Sequence, residues 1–285
     1  MALEYQQNFP KDLPSTLPVY RFEPPPRFPD TSKHLSNVAR QLGLDGTPEE
    51  TSFSREWTTH YEGPYEISLH SLSWGLIYRH REKYHQQGDR LFEMSNEDAE
   101  AIARRFLERS GFIPLGETRL MRVNHLRTAG GGVDGSAGDE TLLDAGVFYG
   151  RLIERVPVDG PGGHVLVNID PEGEVVGARA VWRPVAQVAG VVEVRPPDHA
   201  YAAMEDIARQ MQGDITVTKA TFGYFEQGVM DHQEYLQPAY ALVYMVRNEE
   251  VTHKSAAVIP ASEKLFELLA GEKRFPTPPQ EPRKP

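Results

Sequence analysis

In residues 164–182 apolar and polar positions alternate with the period of a pleated strand. Val165, Val167 and Ile169 share one face, and His164, Leu166, Asn168 and Asp170 share the other. Val176, Ala178, Ala180 and Trp182 repeat the alternation. Between the two runs, Asp170-Pro171-Glu172-Gly173 reads as a short polar turn, in which Pro presets one dihedral and Gly permits another. The same pattern predicts strands near 17–22, 57–62, 65–72, 75–81, 117–126, 146–156, 164–170, 174–183, 191–195, 215–226, 238–247 and 251–259.

Helical spacing appears in three longer segments. Leu35, Val38, Ala39 and Leu42 share a face over 31–42, with Gly43 at the end. Ala99, Ile102, Ala103, Phe106 and Leu107 form a stripe over 96–110, with Ser95 as N-cap, Asp98 in capping-box position and Gly111 as the stop. Ala200, Met204, Ile207 and Met211 mark a helix over 199–211, with Asp198 as its cap, and a short last helix over 262–270 starts at Ser262. The recurring order of strand, capped helix and alternating strands predicts an α+β fold. Its economical form is three tandem units, each with one helix packed on a curved antiparallel meander sheet. The boundaries are a disordered leader at 1–16, unit one at 17–88, unit two at 89–188, unit three at 189–271 and a disordered Pro-rich tail at 272–285. Two larger domains, with unit one packed on unit two, are the alternative. Phe106, Leu107, Val165, Val167 and Trp182 are expected to meet in the core of unit two.

Composition narrows function more than fold. A formal net charge of −11 over 285 residues argues against nucleic acid, whose phosphates need clustered Lys and Arg. The absence of cysteine removes disulfides, thiolate metal sites and cysteine nucleophiles. No apolar run reaches the ~20 residues of a membrane span. The opening MALEYQQNFPKDLPSTLP reads as a flexible leader behind an added Met-Ala, standing where an export signal or lipid anchor was. An extracytoplasmic or secreted protein is therefore expected, with a cytoplasmic one as the alternative. The sequence does not indicate an oligomeric state.

Several patterns have a plainer reading than their chemical one. Gly130, Gly132 and Gly135 satisfy G-x-G-x-x-G, but the following residues cannot open a helix, so a long mobile hairpin loop over 128–145 is expected. Asn168, Asp170 and Glu172 before Gly173 approach a calcium loop, yet Arg179 stands where the bidentate Glu belongs. His60, His70, His80 and His85 fit no helical zinc pair. A hairpin near Ser73-Trp74-Gly75 could bring His70 opposite His80, but histidines on a polar, exposed sheet face are favoured. Tyr224, Phe225, Tyr235, Tyr240 and Tyr244 read mainly as core, with an interface as the second choice. There is no G-x-S-x-G elbow, no P-loop lysine and, since no His is followed by Glu, no zinc-peptidase helix.

Val156-Pro157-Val158, Gly160-Pro161-Gly162-Gly163 and the Asp170-to-Val175 hairpin resemble the propeptide module that precedes thermolysin-type and fungalysin-type metallopeptidases. The helix opening Ala200-to-Ala208 looks like that of a PepSY domain. The resemblance is best over 94–262 and implies cystatin-like, PepSY-like repeats of a bacterial protein. Arg155-Val156 stands where the propeptide pattern has Gly-Ile. What it implies is a non-catalytic binding protein, a peptidase regulator or inhibitor acting on a protein partner, either a peptidase or a cell-envelope protein. Val156, Pro157, Val158, Gly160, Pro161, Gly162 and Gly163 would contact that partner, with strand edges and the 128–145 loop. No metal or organic cofactor is expected. The alternative is an enzyme whose site lies between units.

Overall fold

The helix stripe at 96–110 folds as its chemistry dictates. The Ser95 hydroxyl accepts the Asp98 N–H at 3.0 Å, and Gly111 closes the helix at φ 65°, its N–H bonded to the Leu107 carbonyl. The Asp98 carboxylate accepts the Ser95 hydroxyl at 2.8 Å, tying the cap to the first turn. The structure, a computed structural model, describes residues 2–25, 30–44, 49–51, 57–84, 94–131, 137–248 and 252–267.

Fifteen strands and three α-helices form among these residues. In chain order they are β1 (Leu3–Tyr5), β2 (Thr16–Phe22), α1 (Asp30–Gln41), β3 (Glu49–Thr51), β4 (Trp57–Glu62), β5 (Tyr65–His70), β6 (Gly75–His80), α2 (Asn96–Ser110), β7 (Thr118–Gly131), β8 (Ala137–Ile153), β9 (Val156–Asp159), β10 (His164–Ile169), β11 (Val175–Val181), β12 (Val185–Glu193), α3 (Pro197–Gln210), β13 (Asp214–Phe225), β14 (Tyr235–Arg247) and β15 (Thr252–Pro260). The chain divides into two compact units. One holds the residues up to Phe22, Val185–Gln227 and those from Gln233 on; the other holds Glu23–Pro184 and Gly228–His232.

In the second unit one antiparallel sheet runs β3-β4-β5-β6-β11-β10-β8-β7. Both α1 and α2 lie on it. Leu35 and Val38 of α1, Phe106 and Leu107 of α2, and Leu69, Tyr78, Val147, Val165, Val167 and Trp182 from the sheet side form one core. The five residues expected to meet there, Phe106, Leu107, Val165, Val167 and Trp182, are all 4% exposed or less. In the first unit β13, β14 and β15 form an antiparallel meander, β1 joins β13 in parallel, and β2 lies between β12 and the start of β14. Ala200, Met204, Ile207 and Ala208 of α3 are buried there.

The tandem α+β expectation does not hold. Strand dominates, and the sheet of the second unit passes through strands assigned to separate units, because β6 pairs with β11 from Gly75↔Val181 to Arg79↔Gly177. Left apart, both strands would present unsatisfied backbone donors and acceptors, and the faces of Leu76, Tyr78, Ala178 and Ala180 would lack a common cover. Joined, they share one core under two helices. The parallel β1–β13 pair also makes the first unit's sheet mixed rather than a pure antiparallel meander. Local differences have local causes. Residues 262–267 form bends rather than a helix, and the Ser262 hydroxyl donates to the Lys264 carbonyl instead of capping. Pro196, not Asp198, precedes the first turn of α3, with Pro197 fitted at its first position. Residues 3–5, placed by composition in an unstructured leader, pair with Ile215–Val217. The expected 128–145 loop is largely ribbon: β7 and β8 stay paired out to Gly131↔Ala137. Gly132, Gly135, His85 and the 272–285 tail lie outside the described residues.

Candidate functional site

The segment singled out for partner binding begins with a tight hairpin. Leu152↔Pro157 and Ile153↔Val156 pair across a two-residue turn in which Glu154 and Arg155 take φ 48° and 72°. Such turns favour Asn and Gly because both central residues need positive φ. Beyond β9, Gly162 and Gly163 are buried, the Gly163 N–H bonds to the Val181 carbonyl, and its own carbonyl accepts the Arg151 N–H, both at 2.9 Å. Val158 is buried, Val156, Pro157 and Gly160 are half-buried, and Pro161 is exposed. These seven residues are together in space, but they present little surface.

Titratable groups gather at the Asp170–Gly173 turn. The Asp170 carboxylate accepts the Glu174 N–H at 2.7 Å, while its other oxygen is buried, accepts no hydrogen bond among the described residues and lies 3.6 Å from the Lys83 ammonium. Lys83 donates to Glu174, and the Tyr65 hydroxyl reaches the same carboxylate at 3.4 Å. Burial raises Asp170 above the ordinary carboxylate range, whereas the hydrogen bond from Lys83 lowers Glu174. The same bond raises Lys83. Glu174 also edges a cleft of about 660 Å³ lined by Leu44, Tyr65, Tyr78, Ile102, Arg105 and Arg109, among others. Of the calcium-like residues, Asp170 thus faces a lysine, while Asn168 donates to the Asp144 carboxylate at 3.1 Å. No group of three or more His, Cys, Asp or Glu side chains among the described residues is placed to hold a metal ion.

The histidines depart from expectation. His60, His70 and His80 are 4%, 0% and 6% exposed, so they do not lie on an exposed face. The β5–β6 register pairs His80 with Tyr65 and Leu69 with Leu76, which places His70 and His80 at opposite ends of the hairpin. Ser73 accounts for His70: its hydroxyl lies 2.9 Å from the imidazole and also accepts the Gly75 N–H. The aromatic run resolves mostly as core, with Tyr224, Phe225, Tyr240 and Tyr244 buried.

The most distinctive surface is β7, which sequence reasoning passed over. Among the described residues it pairs only with β8, leaving its other edge open. Leu120, Met121 and Leu126 are 38%, 45% and 44% exposed. Arg119, Arg122 and Arg127 are exposed beside them, and Thr118–Gly131 contains no acid. The register shift between Leu120 and Arg122 makes Met121 the bulged residue, and its side chain lies over Gly150. Arg122 sits 4.8 Å above the Phe148 ring, which stacks in turn on His164 at 5.1 Å. Arginine, methionine and aromatic rings on one patch are the composition of protein interfaces. The available signal was charge: three arginines and no acid in one strand of a chain carrying −11.

No family model matches the chain, and no curated protein matches its sequence. The structure is similar to the crystal structure of an uncharacterized protein from Eubacterium rectale ATCC 33656, with a TM-score of 0.59 and 11% identity, over 94% of this chain and 91% of that one. A likeness at that identity shows a shared fold. No helix among the described residues is long and apolar enough to cross a membrane.

Proposed function

We propose that the protein is a non-catalytic binding protein that takes an extended segment of a protein partner onto the open edge of β7. The carrying observation is that edge: a 14-residue strand with one paired side, three exposed apolar side chains and three arginines. An added strand would satisfy its main-chain donors and acceptors. Acidic side chains of that segment would meet Arg119, Arg122 and Arg127, and apolar ones would pack beside Leu120, Met121 and Leu126. Arginine and a bulge also blunt an edge against neutral self-pairing, which selects for an acidic partner rather than a second copy of β7. A peptidase or cell-envelope protein displaying such a segment is the narrower form of this reading.

The test is amide hydrogen exchange with a synthetic peptide of alternating valine and glutamate. Exchange should slow over Arg119–Arg127, and the effect should weaken in high salt. It should vanish in a Leu120→Asp/Leu126→Asp variant. Equal protection by a valine-lysine peptide, or none by the glutamate one, would overturn the proposal. A second reading rests on Asp170 and Glu174, neighbouring carboxyl groups pushed in opposite directions, of which Glu174 lines a cleft, an arrangement suited to acid–base chemistry. Turnover of a substrate, abolished by Asp170→Asn, would favour that reading.

A further inference from the structure

Trp74, in the turn between β5 and β6, adopts φ 56°. A bulky side chain in the left-handed region costs ~1–2 kcal/mol and persists only where its surroundings hold it. Here the indole N–H donates to the Glu23 carbonyl at 3.0 Å, and the His34 ring meets the indole edge-on at 5.3 Å. Glu23 is followed by Pro24 and Pro25, so a carbonyl at the head of a proline run already rests on an indole donor.

Beside this contact lies a cleft of about 410 Å³, wholly within the second unit. Glu23, His34, Trp74, Phe112, Trp182 and Pro184 are among its lining residues. Trp182 is 4% exposed, and the Arg151 guanidinium covers its ring at 5.0 Å. Its indole N–H has no acceptor among the described residues. A buried donor without an acceptor costs ~1–3 kcal/mol, which an incoming carbonyl would relieve. Among the described residues no Lys or Arg lines the cleft, and Glu23 is its one acid. Burial holds His34 below the usual histidine value, so it supplies no positive charge near neutral pH.

A polyproline II segment has the matching chemistry. Its carbonyls are unused internally, its rings pack on aromatic faces, and it is already extended before binding. We propose that this cleft binds an extended proline-rich segment of a second polypeptide, with one carbonyl on the Trp182 indole N–H and a basic flank facing Glu23. The Trp182 indole nitrogen is buried, so docking requires the side chains lining the cleft to shift. None of the β7 residues takes part, and the strand-edge reading can fail without affecting this one.

Three tryptophans give three indole resonances in ¹⁵N-labelled protein. The probe is a peptide of sequence Arg-Pro-Pro-Leu-Pro-Pro-Arg, and the control replaces each proline with alanine. The Trp74 and Trp182 indoles should shift with the proline peptide, while Trp57, packed on His70 at 4.8 Å, should not. Trp182→Phe keeps a ring and removes the donor, and should weaken binding about tenfold, the worth of one hydrogen bond. An unmoved Trp57 resonance in that variant shows the fold intact. A stationary Trp182 resonance in the wild type, an equal response to the alanine peptide, or unchanged affinity in Trp182→Phe would overturn the proposal.

Discussion

At the scale of single residues, the Glu154-Arg155 turn is the most informative. Both residues occupy a conformation that costs a non-glycine residue ~1–2 kcal/mol, and nothing in their side chains requires it. Arg155 stands where the propeptide pattern carries glycine, so the departure noticed in sequence coincides with local strain. Arg155→Gly should raise stability by up to about 1 kcal/mol, because strain relief exceeds the ~0.5–1 kcal/mol entropy cost of glycine. Chemical denaturation measures this, and a lower midpoint would show that the arginine makes a contribution the turn needs. Other residues were less legible. Burial of His60, His70 and His80 could not be foreseen, because a histidine in an alternating strand reads as polar whichever face it occupies.

At the scale of elements, helix ends were legible where side chains set them and obscure where they did not. Ser95, Asp98 and Gly111 fixed α2, whereas Ser262 offered the same cap signal to a segment whose following residues bend. Strand existence followed from alternation. Strand partnership did not, since the β6–β11 pairing joins residues about a hundred positions apart and no local pattern encodes it. That pairing creates the shared core, and it sets the expected cost of losing a central side chain. Phe106, 4% exposed and packed on Tyr78 with ring centroids 5.2 Å apart, should cost about 3–5 kcal/mol when replaced by alanine. An unchanged thermal midpoint would refute its central place. The β7 edge was missed for a related reason: alternation identifies a strand without saying which strand lies last in the sheet.

For the molecule as a whole, burial of tyrosines governs the alkaline limit of stability. Desolvation pushes Tyr5, Tyr149 and Tyr240 up to about 12, from an unfolded value of 10. Their folded values are raised, so their contribution is fully present below pH 10 and is lost as pH rises from 10 toward 12. Stability should therefore decline steeply across that window, with phenolate absorbance appearing as the chain unfolds. Ionisation of all twelve tyrosines with a midpoint near 10 before any unfolding would contradict the burial. On the acid side the groups oppose one another. Glu174, lowered by Lys83, contributes stability that is lost as pH falls through its folded value, while protonation of Asp170 relieves a desolvation cost.

The chain leaves the first unit after Phe22 and returns to it at Val185, so the second unit is an insertion between strands that belong together. During synthesis β2 emerges early and has no partner until β12, whose residues pair with it from Val185↔Phe22 to Glu193↔Thr16. At ~5–20 residues per second, that apolar strand waits roughly ten to thirty seconds. Arg183 has a shorter wait. Its guanidinium donates to the carbonyls of Gly228 and Asp231, at 2.9 and 2.7 Å, which leave the ribosome about fifty residues after it does. A fragment ending at Pro184 would keep every strand and helix of the second unit but omit these acceptors for a buried cation. The nascent chain thus meets its main hazard midway, when most of one unit is complete and the first strands of the other still await β12 and β13.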